Sequence, residues 1–353
     1  MRTWRQAGAR FSRDGPMTHS PLRLRLDSDA LAANWRWLAA MSGSAACGAA
    51  VKADGYGLGA QAVVARLAQA GCRDFFVATW DEAAALGPVP NGCTLSVFHG
   101  VRGEDMAVAT QSFARPVLNT PEQVARWRPT GLACDVMIDT GMNRLGLAAS
   151  DDLSGLKIET LMSHLACAEE DSPMNGEQRA AFGAIPTSAR RRSLANSAGI
   201  CLGGHYAFDL TRPGLALYGG APRSEATEHI RQVAFPEAQV IQRRRVAAGG
   251  SIGYGATFVA SHEIEVAILN IGYADGYLRS FSSRGCCGDG RFPVIGRVSM
   301  DLIAIDVTSD TSLAEGDWVG VDYDLPRMSV VSGLSQYELL TGLGQRLERV
   351  WVS

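Results

Sequence analysis

An alternation of short apolar runs with helix-like segments, between residues 45 and 215, restricts the possible folds more than any other feature of this sequence. Strand-like runs that alternate with helices form a parallel sheet, and eight such units predict a closed (β/α)8 barrel. Asp81 and Thr120 are predicted N-caps, since each is a good capping residue followed closely by an acid. The strand-like runs are 45–51, 74–79, 94–99, 116–118, 134–139, 158–163, 193–196 and 207–210, and the helix-like segments include 59–69, 81–86, 121–126 and 176–182.

The pattern changes after about residue 235, where strand-like runs follow one another with few helical segments between them. Such runs, separated by Gly-rich turns, are typical of an antiparallel sheet, and only 335–343 is predicted to be helical. The alternating segment 22–26 is a candidate strand that could pair with this second domain. We predict a disordered extension at 1–20, an α/β barrel domain at 21–234 and a mostly antiparallel β domain at 235–353. The strand-like runs are 238–243, 263–269, 292–298, 303–307 and 318–321.

The composition disfavours several classes of protein. Lys plus Arg total 33 and Asp plus Glu total 36, which leaves a net charge of −3 and no basic stripe for nucleic acid. No run of about 18 apolar residues is present, so we expect no membrane span. The eight cysteines form no Cys-x-x-Cys pair and no zinc pattern with histidine, which indicates reduced thiols, a cytoplasmic protein and no bound metal.

Chemically active side chains follow five of the eight barrel runs. Because the functional groups of a (β/α)8 barrel collect beyond the carboxyl ends of its strands, we expect these side chains to share one site. Such a set of basic and polar groups at one barrel mouth is not a packing pattern. The residues are Lys52 after the first run, Arg144 after the fifth, His164 after the sixth, Asn196 and Ser197 at the end of the seventh, and Arg212 after the eighth.

Lys52 is the most informative of these residues, because the chain contains only one other lysine, Lys157. A charged lysine that closes an apolar strand is costly to bury, and a Schiff base with an aldehyde removes that charge. Gly55 and Gly57 would let the backbone approach a ligand closely, and Tyr56 adds a hydroxyl. The structural alternative is a lysine that extends from a strand end into solvent, which the scarcity of lysine disfavours.

Residues 50–57 (AVKADGYG) resemble the cofactor-lysine motif of the alanine racemases, which are fold-type III enzymes that use pyridoxal 5′-phosphate (PLP). The resemblance covers about residues 22–352 and implies a (β/α)8 barrel followed by a β domain, in agreement with the pattern of runs. It also implies a homodimer with shared active sites, interconversion of L-alanine and D-alanine, and a supply of D-alanine for peptidoglycan. The other matching segments are 140–146 (TGMNRLG), 163–166 (SHLA), 196–198 (NSA), 212–214 (RPG), 253–255 (GYG), 272–276 (GYADG) and 300–301 (MD).

The resemblance implies the two catalytic bases of a racemase. Lys52 would hold PLP and face the α-proton of the D-enantiomer, and Tyr254 of the partner subunit would be the opposite base. Removal and return of a proton on opposite faces of a planar carbanion requires two such groups. A tyrosine hydroxyl normally titrates near pH ~10, so His164 and Arg212 would have to assist it. The alternative for Tyr254 is a tyrosine that packs in a glycine-rich turn.

The binding residues are implied in the same way. Arg212 would contact the pyridine nitrogen, and because a guanidinium only donates hydrogen bonds, it would disfavour protonation of that nitrogen. The residues that would hold PLP are Lys52, Tyr56, His164, Ser197, Arg212, Gly214, Leu215 and Tyr337. The residues that would bind the substrate are Arg144 at the carboxylate, Met300 through its backbone N–H, and Tyr273 at the entrance, which Tyr337 would also narrow. Asp301 matches an acid beside the active site.

Two positions depart from the family's pattern. Met137 stands where many members carry a carbamylated lysine, so another anion, such as chloride or a nearby carboxylate, would have to position Arg144. Leu58 stands where histidine is common. Met137 leaves open a racemase of broader amino-acid range. A non-catalytic PLP-binding protein is disfavoured by the β domain with its Tyr254, and a decarboxylase by Arg212 in place of an acid.

Overall fold

The computed structural model describes residues 20–353, and apart from Ser20 the extension predicted at 1–20 lies outside the described residues. The described chain begins with a strand, β1 (Leu22–Asp27), and a helix, α1 (Ser28–Met41). Asp27 caps α1, since its carboxylate accepts a hydrogen bond from the Ala30 N–H at 2.8 Å. Helix α1 is absent from the elements predicted above, and it buries one apolar face against the barrel that follows.

The barrel contains eight parallel strands, as predicted. They are β2 (Ala46–Cys47) with β3 (Ala49–Ala50), β4 (Asp74–Val77), β5 (Thr94–Val97), β6 (Arg115–Leu118), β7 (Ala133–Met137), β8 (Lys157–Met162), β9 (Arg191–Ser193) and β10 (Leu210–Thr211). The first strand is interrupted at Gly48, where a side chain would lie 2.7 Å from the Asp74 carbonyl oxygen. Strands β3 to β9 form one sheet in sequence order, and β10 pairs with β2. The short run 116–118 lies in β6, which confirms the count.

Several barrel strands end or begin away from their predicted positions, and β4 and β7 each end two residues early. Strand β5 ends at Val97, two residues earlier than predicted, so Phe98 lies in the loop at the barrel mouth. Strand β9 covers Arg191–Ser193 rather than 193–196, because the chain then turns towards the next helix. Strand β10 begins only at Leu210, because Phe208, with a φ of 52°, interrupts the predicted run 207–210.

Seven helices of the described chain follow the barrel strands, and four of them begin at a side-chain cap. They are α2 (Lys52–Tyr56), α3 (Ala60–Ala70), α4 (Trp80–Leu86), α5 (Met106–Ala109), α6 (Pro121–Trp127), α7 (Pro173–Ala184) and α8 (Ser197–Cys201). Thr120 caps α6, as predicted, and its hydroxyl accepts from the Gln123 N–H at 3.2 Å. The prediction that Asp81 caps the second helix is wrong, because Thr79 has the extended backbone of a cap and accepts from the Glu82 N–H at 3.2 Å. No helix among residues 20–353 has the length and hydropathy to cross a bilayer.

The C-terminal domain is built on a mostly antiparallel sheet, as predicted. Its strands are β11 (Ala234–Val246), β12 (Ser251–Ile252), β13 (Phe258–Val259), β14 (Ile264–Leu269), β15 (Cys286–Cys287), β16 (Phe292–Ile295), β17 (Ile303–Asp306), β18 (Trp318–Gly320) and β19 (Glu348–Val352). The order is β15-β16-β17-β14-β11-β1-β19, with β18 also on β11 and a separate β12–β13 hairpin. Strand β1 thus lies in this sheet, antiparallel to β11 and parallel to β19. The boundary predicted between 234 and 235 falls at the start of β11 and stays a prediction.

The C-terminal domain contains two helices, α9 (Leu325–Ser332) and α10 (Gln336–Thr341), whereas the sequence pattern predicts only one. Helix α9 is short and carries a proline in its first turn, a position that proline tolerates but that resembles a loop in sequence. Ser335 and Glu338 form a capping box at the start of α10. Helix α10 packs against α2, and so brings the C-terminal domain to the barrel mouth.

Candidate active site

Two adjoining cavities at the barrel mouth share three lining residues, Lys52, Phe98 and His164. Their volumes are about 310 Å³ and about 90 Å³. The larger cavity is also lined by Ala78, His99, Met137, Met142, Arg144 and Leu145. The smaller cavity is also lined by Ala50, Tyr56, Asn196, Ser197, Arg212, Gly214, Leu215 and Tyr337. Every residue predicted to hold a cofactor, together with Arg144, therefore surrounds one site.

Lys52 follows β3 after one residue, Val51, and lies where the two cavities meet. Lys52 is exposed at the barrel mouth of one chain, but the protein around it partly desolvates the amine and so lowers its pKa from the ordinary value of 10.5. The positive charge of Arg144 lowers the pKa further, and Glu82 opposes both effects. A lower pKa increases the fraction of neutral amine, which is the form that attacks an aldehyde or accepts a proton. Lys157, the other lysine, lies at the exposed start of β8 and lines neither cavity.

Helix α2 is not a regular right-handed helix, because the five residues after Lys52 form a left-handed turn. Residues 53–57 all have positive φ, between 52° and 85°. Three of them carry side chains, Ala53, Asp54 and Tyr56, and for such residues this conformation is unfavourable. The turn lets Lys52 and Tyr56 line the same small cavity. The strained segment therefore brings together two residues of the site.

Two tyrosines close one side of the smaller cavity. The ring of Tyr56 stacks on Tyr218 with centroids 4.6 Å apart, and it lies 6.5 Å from the ring of Tyr337. The Tyr337 hydroxyl donates a hydrogen bond to a Glu169 carboxylate oxygen at 2.8 Å. Burial raises the pKa of both Tyr56 and Tyr337, and Glu169 adds to the effect at Tyr337. Both hydroxyls therefore keep their protons and act as hydrogen-bond donors.

Ser197, the first residue of α8, keeps one hydroxyl hydrogen free for a ligand. Its Oγ accepts from the Gly214 N–H at 2.9 Å and from the Ala216 N–H at 3.2 Å. A hydroxyl has two acceptor sites and one donor, so a hydroxyl with both acceptor sites used can only donate. At Gly214 a Cβ would lie 2.2 Å from the Tyr56 hydroxyl oxygen, so glycine allows this hydroxyl to lie beside Ser197 at the cavity. The cavity and its donors fit a phosphate group.

Arg212 reaches the site from the loop after β10, and its side chain is buried. The guanidinium donates to the Ser193 hydroxyl and, at 2.6 Å, to the Ser163 carbonyl oxygen. Burial lowers the pKa of Arg212 to about 10, which still leaves it charged at neutral pH. Burial, together with the nearby positive charges, lowers the pKa of His164 to about 3. The site therefore pairs a charged guanidinium with a neutral imidazole.

Arg144 lines the larger cavity from the loop that follows β7. None of the ion pairs within residues 20–353 uses Arg144, which leaves its charge available for a carboxylate. Met137, the last residue of β7, is 7% exposed and packs with Phe76 and Met162 inside the barrel. The position that departs from the family's pattern is therefore an apolar wall of this cavity.

Tyr254 lies apart from both cavities. It occupies the tip of the β12–β13 hairpin, between Gly253 and Gly255, which have φ values of 74° and 72°. Its side chain is 69% exposed and borders a surface cavity together with Arg297 and Ser299. Within one chain, the structure does not bring Tyr254 to Lys52.

Tyr273 and Met300 lie on two loops of the C-terminal domain that are bonded to each other. Backbone N–H groups of the first loop donate to carbonyl oxygens of the second at 3.0 Å. Arg346 joins the same loops, with ion pairs to Asp275 at 2.8 Å and to Asp301 at 2.7 Å. Tyr273 is 39% exposed and Met300 is 53% exposed, and neither lines the cavities around Lys52. The predicted substrate residues are thus divided between the barrel mouth and this surface.

Two family models match consecutive parts of the chain. The alanine racemase N-terminal domain matches residues 26–222, and the alanine racemase C-terminal domain matches residues 233–351. The chain belongs to the alanine racemase family. The first match covers the barrel of this racemase-family chain, and the second covers most of its C-terminal sheet. The predicted family and the predicted fold are both confirmed.

Individual alanine racemases are similar to this chain over nearly their full length. The alanine racemase of Acidiphilium cryptum is 40% identical, and the alignment covers 93% of this chain and 98% of that protein. A biosynthetic alanine racemase of Agrobacterium fabrum is 39% identical, and the alignment covers 94% of this chain and 94% of that protein. A catabolic alanine racemase of the same organism is 40% identical, and the alignment covers 93% of this chain and 92% of that protein. A crystal structure of Bartonella henselae alanine racemase with covalently bound pyridoxal phosphate is similar, with a TM-score of 0.84 and 34% sequence identity. The superposition covers 94% of this chain and 99% of that chain.

Phe98 and Glu82 are among the residues around this alanine racemase site that the sequence predictions miss. Phe98 lines both cavities, but the predicted run 94–99 places it inside a strand. Ending that run at Val97, its last β-branched residue, would have put Phe98 at the barrel mouth. Glu82 contacts the backbone directly after Lys52, and the spacing Thr79-x-x-Glu82 is a capping-box signature that could have drawn attention to it.

Proposed function

We propose that this chain is a PLP-dependent alanine racemase that interconverts L-alanine and D-alanine and works as a homodimer. The observation that carries the proposal is the position of Lys52, an amine with a lowered pKa, between a small cavity with phosphate donors and a larger one lined by Arg144. The D-alanine would serve peptidoglycan synthesis. The eight cysteines are unpaired thiols, which supports a place in the reducing cytoplasm.

The residues around the smaller cavity fit PLP. The supporting observation is the close approach of the Tyr56 hydroxyl to Gly214, where a Cβ would lie 2.2 Å from it, beside a Ser197 hydroxyl that can only donate. Lys52 would hold the cofactor through its amine. When bound, PLP supplies an aldehyde carbon that accepts an amine and a ring that withdraws electrons from the α-carbon of the substrate. The phosphate would be held by Tyr56, Ser197, Gly214, Leu215 and Tyr337. The Gly214 N–H and the Tyr337 hydroxyl would turn to it from their partners in this structure, Ser197 and Glu169.

Arg212 and His164 would set the electronic character of the site. A charged guanidinium offers only donors, so Arg212 at the ring nitrogen would hold that nitrogen unprotonated. This would limit how strongly negative charge at the α-carbon is stabilised, which suits a reaction that returns the proton to the same atom. His164 is neutral at physiological pH, because its pKa is lowered to about 3, and so it has one donor nitrogen and one acceptor nitrogen.

Racemisation requires a proton carrier on each face of the α-carbon. In the proposed mechanism, the Lys52 amine exchanges the proton on one face and the Tyr254 hydroxyl of a second copy exchanges it on the other. Tyr254 is 69% exposed and lines neither cavity of its own chain, which supports its use by another copy. Tyr273 and Met300, which are also exposed on the C-terminal domain, would accompany it.

Arg144 would bind the carboxylate of the amino acid. An arginine without an internal ion pair is suited to a two-point contact with a carboxylate, and such contacts are strong. Phe98, Met137 and Met142 line the same cavity with apolar side chains, which would surround the methyl group of alanine. The apolar Met137 also supports a second candidate, a racemase that accepts larger amino acids, since it provides no anion to restrict the position of Arg144.

The test combines a chemical label with an assay of the purified full-length chain. Borohydride reduction in the presence of PLP is expected to add one cofactor to Lys52 and none to Lys157, by peptide mass mapping. L-alanine is expected to yield D-alanine, and L-serine and L-lysine would reveal a broader range. The variant Lys157→Arg, at the exposed start of β8, is the control and should behave like the native chain. Labelled protein without turnover of any amino acid would overturn the racemase proposal, and an unlabelled Lys52 would overturn the cofactor assignment.

A further inference from the structure

The left-handed turn after Lys52 is held at its first residue by a single carboxylate. The Glu82 Oε1 atom accepts a hydrogen bond from the Ala53 N–H at 2.8 Å, and the Oε2 atom accepts one from the Ala78 N–H at 2.6 Å. Ala53 directly follows Lys52 and has a φ of 52°. Ala78 directly follows β4, the strand next to the one that carries Lys52. One side chain thus ties the backbone at Lys52 to the neighbouring strand.

The same arrangement occurs two helices further along the barrel, at α6, with an amide in place of the acid. Gln123 stands three residues after the cap Thr120, as Glu82 stands three residues after Thr79. Its Oε1 atom accepts from the Asn119 N–H at 2.8 Å, and its Nε2 atom donates to the His99 carbonyl oxygen at 3.1 Å. The two residues therefore occupy equivalent places and each bridges two loops at the barrel mouth.

The difference between the two positions follows from the groups that they face. Glu82 meets two N–H groups, which only an ionised carboxylate can satisfy with both of its oxygens. Gln123 meets one N–H group and one carbonyl group, which an amide satisfies with its oxygen and its nitrogen. The chain has an acid where the loop after β3 presents a donor and an amide where the loop after β5 presents an acceptor. The acid at position 82 therefore matches the N–H donor that the turn after Lys52 presents, which indicates that it stabilises this turn as well as the start of its own helix.

We propose that Glu82 is a positioning residue for Lys52, which fixes the start of the left-handed turn and thereby the place of the Lys52 amine between the two cavities. The proposal rests on the racemase function proposed above, and it concerns no group that touches the substrate. The carboxylate also faces the Lys52 amine electrostatically, where it opposes the positive charge of Arg144. Without the carboxylate, the Ala53 N–H would lose its partner, and the turn would be free to relax towards the conformation that residues other than glycine prefer.

The test compares three variants of the full-length chain loaded with PLP. Glu82→Gln keeps the shape of the side chain but turns one acceptor into a donor that faces an N–H group. Asp317→Asn makes the same change in an exposed turn of the C-terminal domain, where the carboxylate accepts the Ala314 N–H at 2.8 Å. Gln123→Glu makes the reverse change at the equivalent position. The measurements are kcat and KM for L-alanine, the visible absorbance of the lysine-bound cofactor, the rate of its reduction by borohydride, and the thermal midpoint.

Glu82→Gln is expected to lower kcat by about 10- to 100-fold with little change in KM, because a reactive group displaced by about 1 Å costs roughly that factor. Its cofactor absorbance and borohydride rate should change as well, which a purely structural role would not cause. Asp317→Asn should match the native chain in all four measurements, and Gln123→Glu should lower only the thermal midpoint. A Glu82→Gln protein with native kcat and native cofactor absorbance would overturn the proposal.

Two further outcomes keep the proposal distinct from the racemase function. If Glu82→Gln does not fold, Glu82→Asp replaces it, because aspartate keeps the charge but is too short to bridge both N–H groups, and a native kcat in that variant would overturn the proposal. If the native chain makes no D-alanine, the racemase function fails, and the cofactor absorbance and the borohydride rate at Lys52 still decide the role of Glu82.

Discussion

Gly214 shows at the scale of one residue how the site keeps room for an anion. A Cβ at this position would lie 2.2 Å from the Tyr56 hydroxyl oxygen and 2.9 Å from the ring carbon that bears it. Tyr56 cannot easily withdraw, because its ring is buried and stacked on Tyr218. The missing side chain therefore keeps the Tyr56 hydroxyl beside the Ser197 donor.

Gly214→Ala is accordingly expected to weaken PLP binding and to destabilise the chain by about 1–3 kcal/mol, the usual cost of overpacking a filled interior. Cofactor titration and urea unfolding measure the two effects. The matched control is Gly176→Ala in α7, where a Cβ would meet nothing within 4 Å. That control should be neutral or slightly stabilising, since alanine favours a helix. Equal unfolding curves for the two variants would contradict the expectation.

His164 gives a prediction about pH. Burial lowers its pKa to about 3, whereas an unfolded histidine titrates near its ordinary value of 6.5. Between these values the unfolded chain binds a proton that the folded chain does not, so this residue lowers stability as the pH falls below about 6.5. The contribution should reach about 1–2 kcal/mol at pH 5.

Denaturant unfolding of the native chain and of His164→Gln at pH 7 and pH 5 measures this contribution. The native chain should lose about 1–2 kcal/mol more than the variant over that interval, because glutamine does not titrate. His262→Gln, a change at an exposed histidine, serves as the control and should lose as much as the native chain. If His164→Gln is as pH-sensitive as the native chain, His164 is not buried in its neutral form.

At the scale of one element, the left-handed turn at residues 53–57 is held at its start by Glu82 and at its far end by Arg349. The Arg349 guanidinium, from β19, donates to the Gly57 carbonyl oxygen at 2.9 Å and 3.1 Å, and also to the carbonyl oxygens of Gly344 and Leu347. Burial lowers the pKa of Arg349. Among side chains, only a guanidinium has N–H donors arranged in a fork that can reach several carbonyl groups at once. The C-terminal domain thus contributes directly to the shape of the Lys52 segment.

Arg349→Lys is expected to lower the free energy of unfolding by about 1–3 kcal/mol, because lysine keeps the charge but leaves buried carbonyl groups without donors. Arg190→Lys is a suitable control, since Arg190 is 77% exposed and pairs only with Glu159. That change should cost at most about 1 kcal/mol, as surface ion pairs usually do. Urea unfolding of both variants decides the matter, and a loss for Arg349→Lys no larger than for Arg190→Lys would count against this role of Arg349.

The strands and helices were accessible to sequence patterns to different degrees. Runs with a clear apolar pattern, such as those of β4 and β14, are predicted within one or two residues, because burial on one or both faces imposes the pattern. The cap of α4 was assigned to Asp81 rather than Thr79, since both residues are good caps and only the backbone path distinguishes them. The left-handed turn at 53–57 was not predicted, because Ala53, Asp54 and Tyr56 have no preference for positive φ.

At the scale of the whole molecule, the two proposed proton carriers, Lys52 and Tyr254, lie in different domains of the chain. Lys52 lies at the barrel mouth, whereas Tyr254 is 69% exposed at the tip of a hairpin in the C-terminal domain and lines neither cavity. A site that needs both residues is therefore incomplete within one chain. A closed dimer, in which each copy gives its hairpin to the other, completes two sites at once.

Mixed dimers provide the measurement. Lys52→Ala and Tyr254→Phe should each be inactive alone, but their co-expression should restore about a quarter of the native activity, since half of the dimers are mixed and each mixed dimer has one intact site. Two affinity tags allow the mixed dimer to be isolated and assayed. If the isolated mixed dimer is inactive, Tyr254 does not serve the site of another copy.

The sequence by itself determined the repeating barrel units, the change to an antiparallel sheet and the candidate site residues at the strand ends, because periodicity and residue type are local properties of the chain. The tertiary structure alone decided which distant groups meet. Ser197 meets Gly214, Arg349 meets Gly57, and β1 enters a sheet with β11, more than 200 residues away. Such contacts depend on the path of the backbone and on which N–H or carbonyl group each loop presents. The sequence pattern of a single segment predicts neither of these.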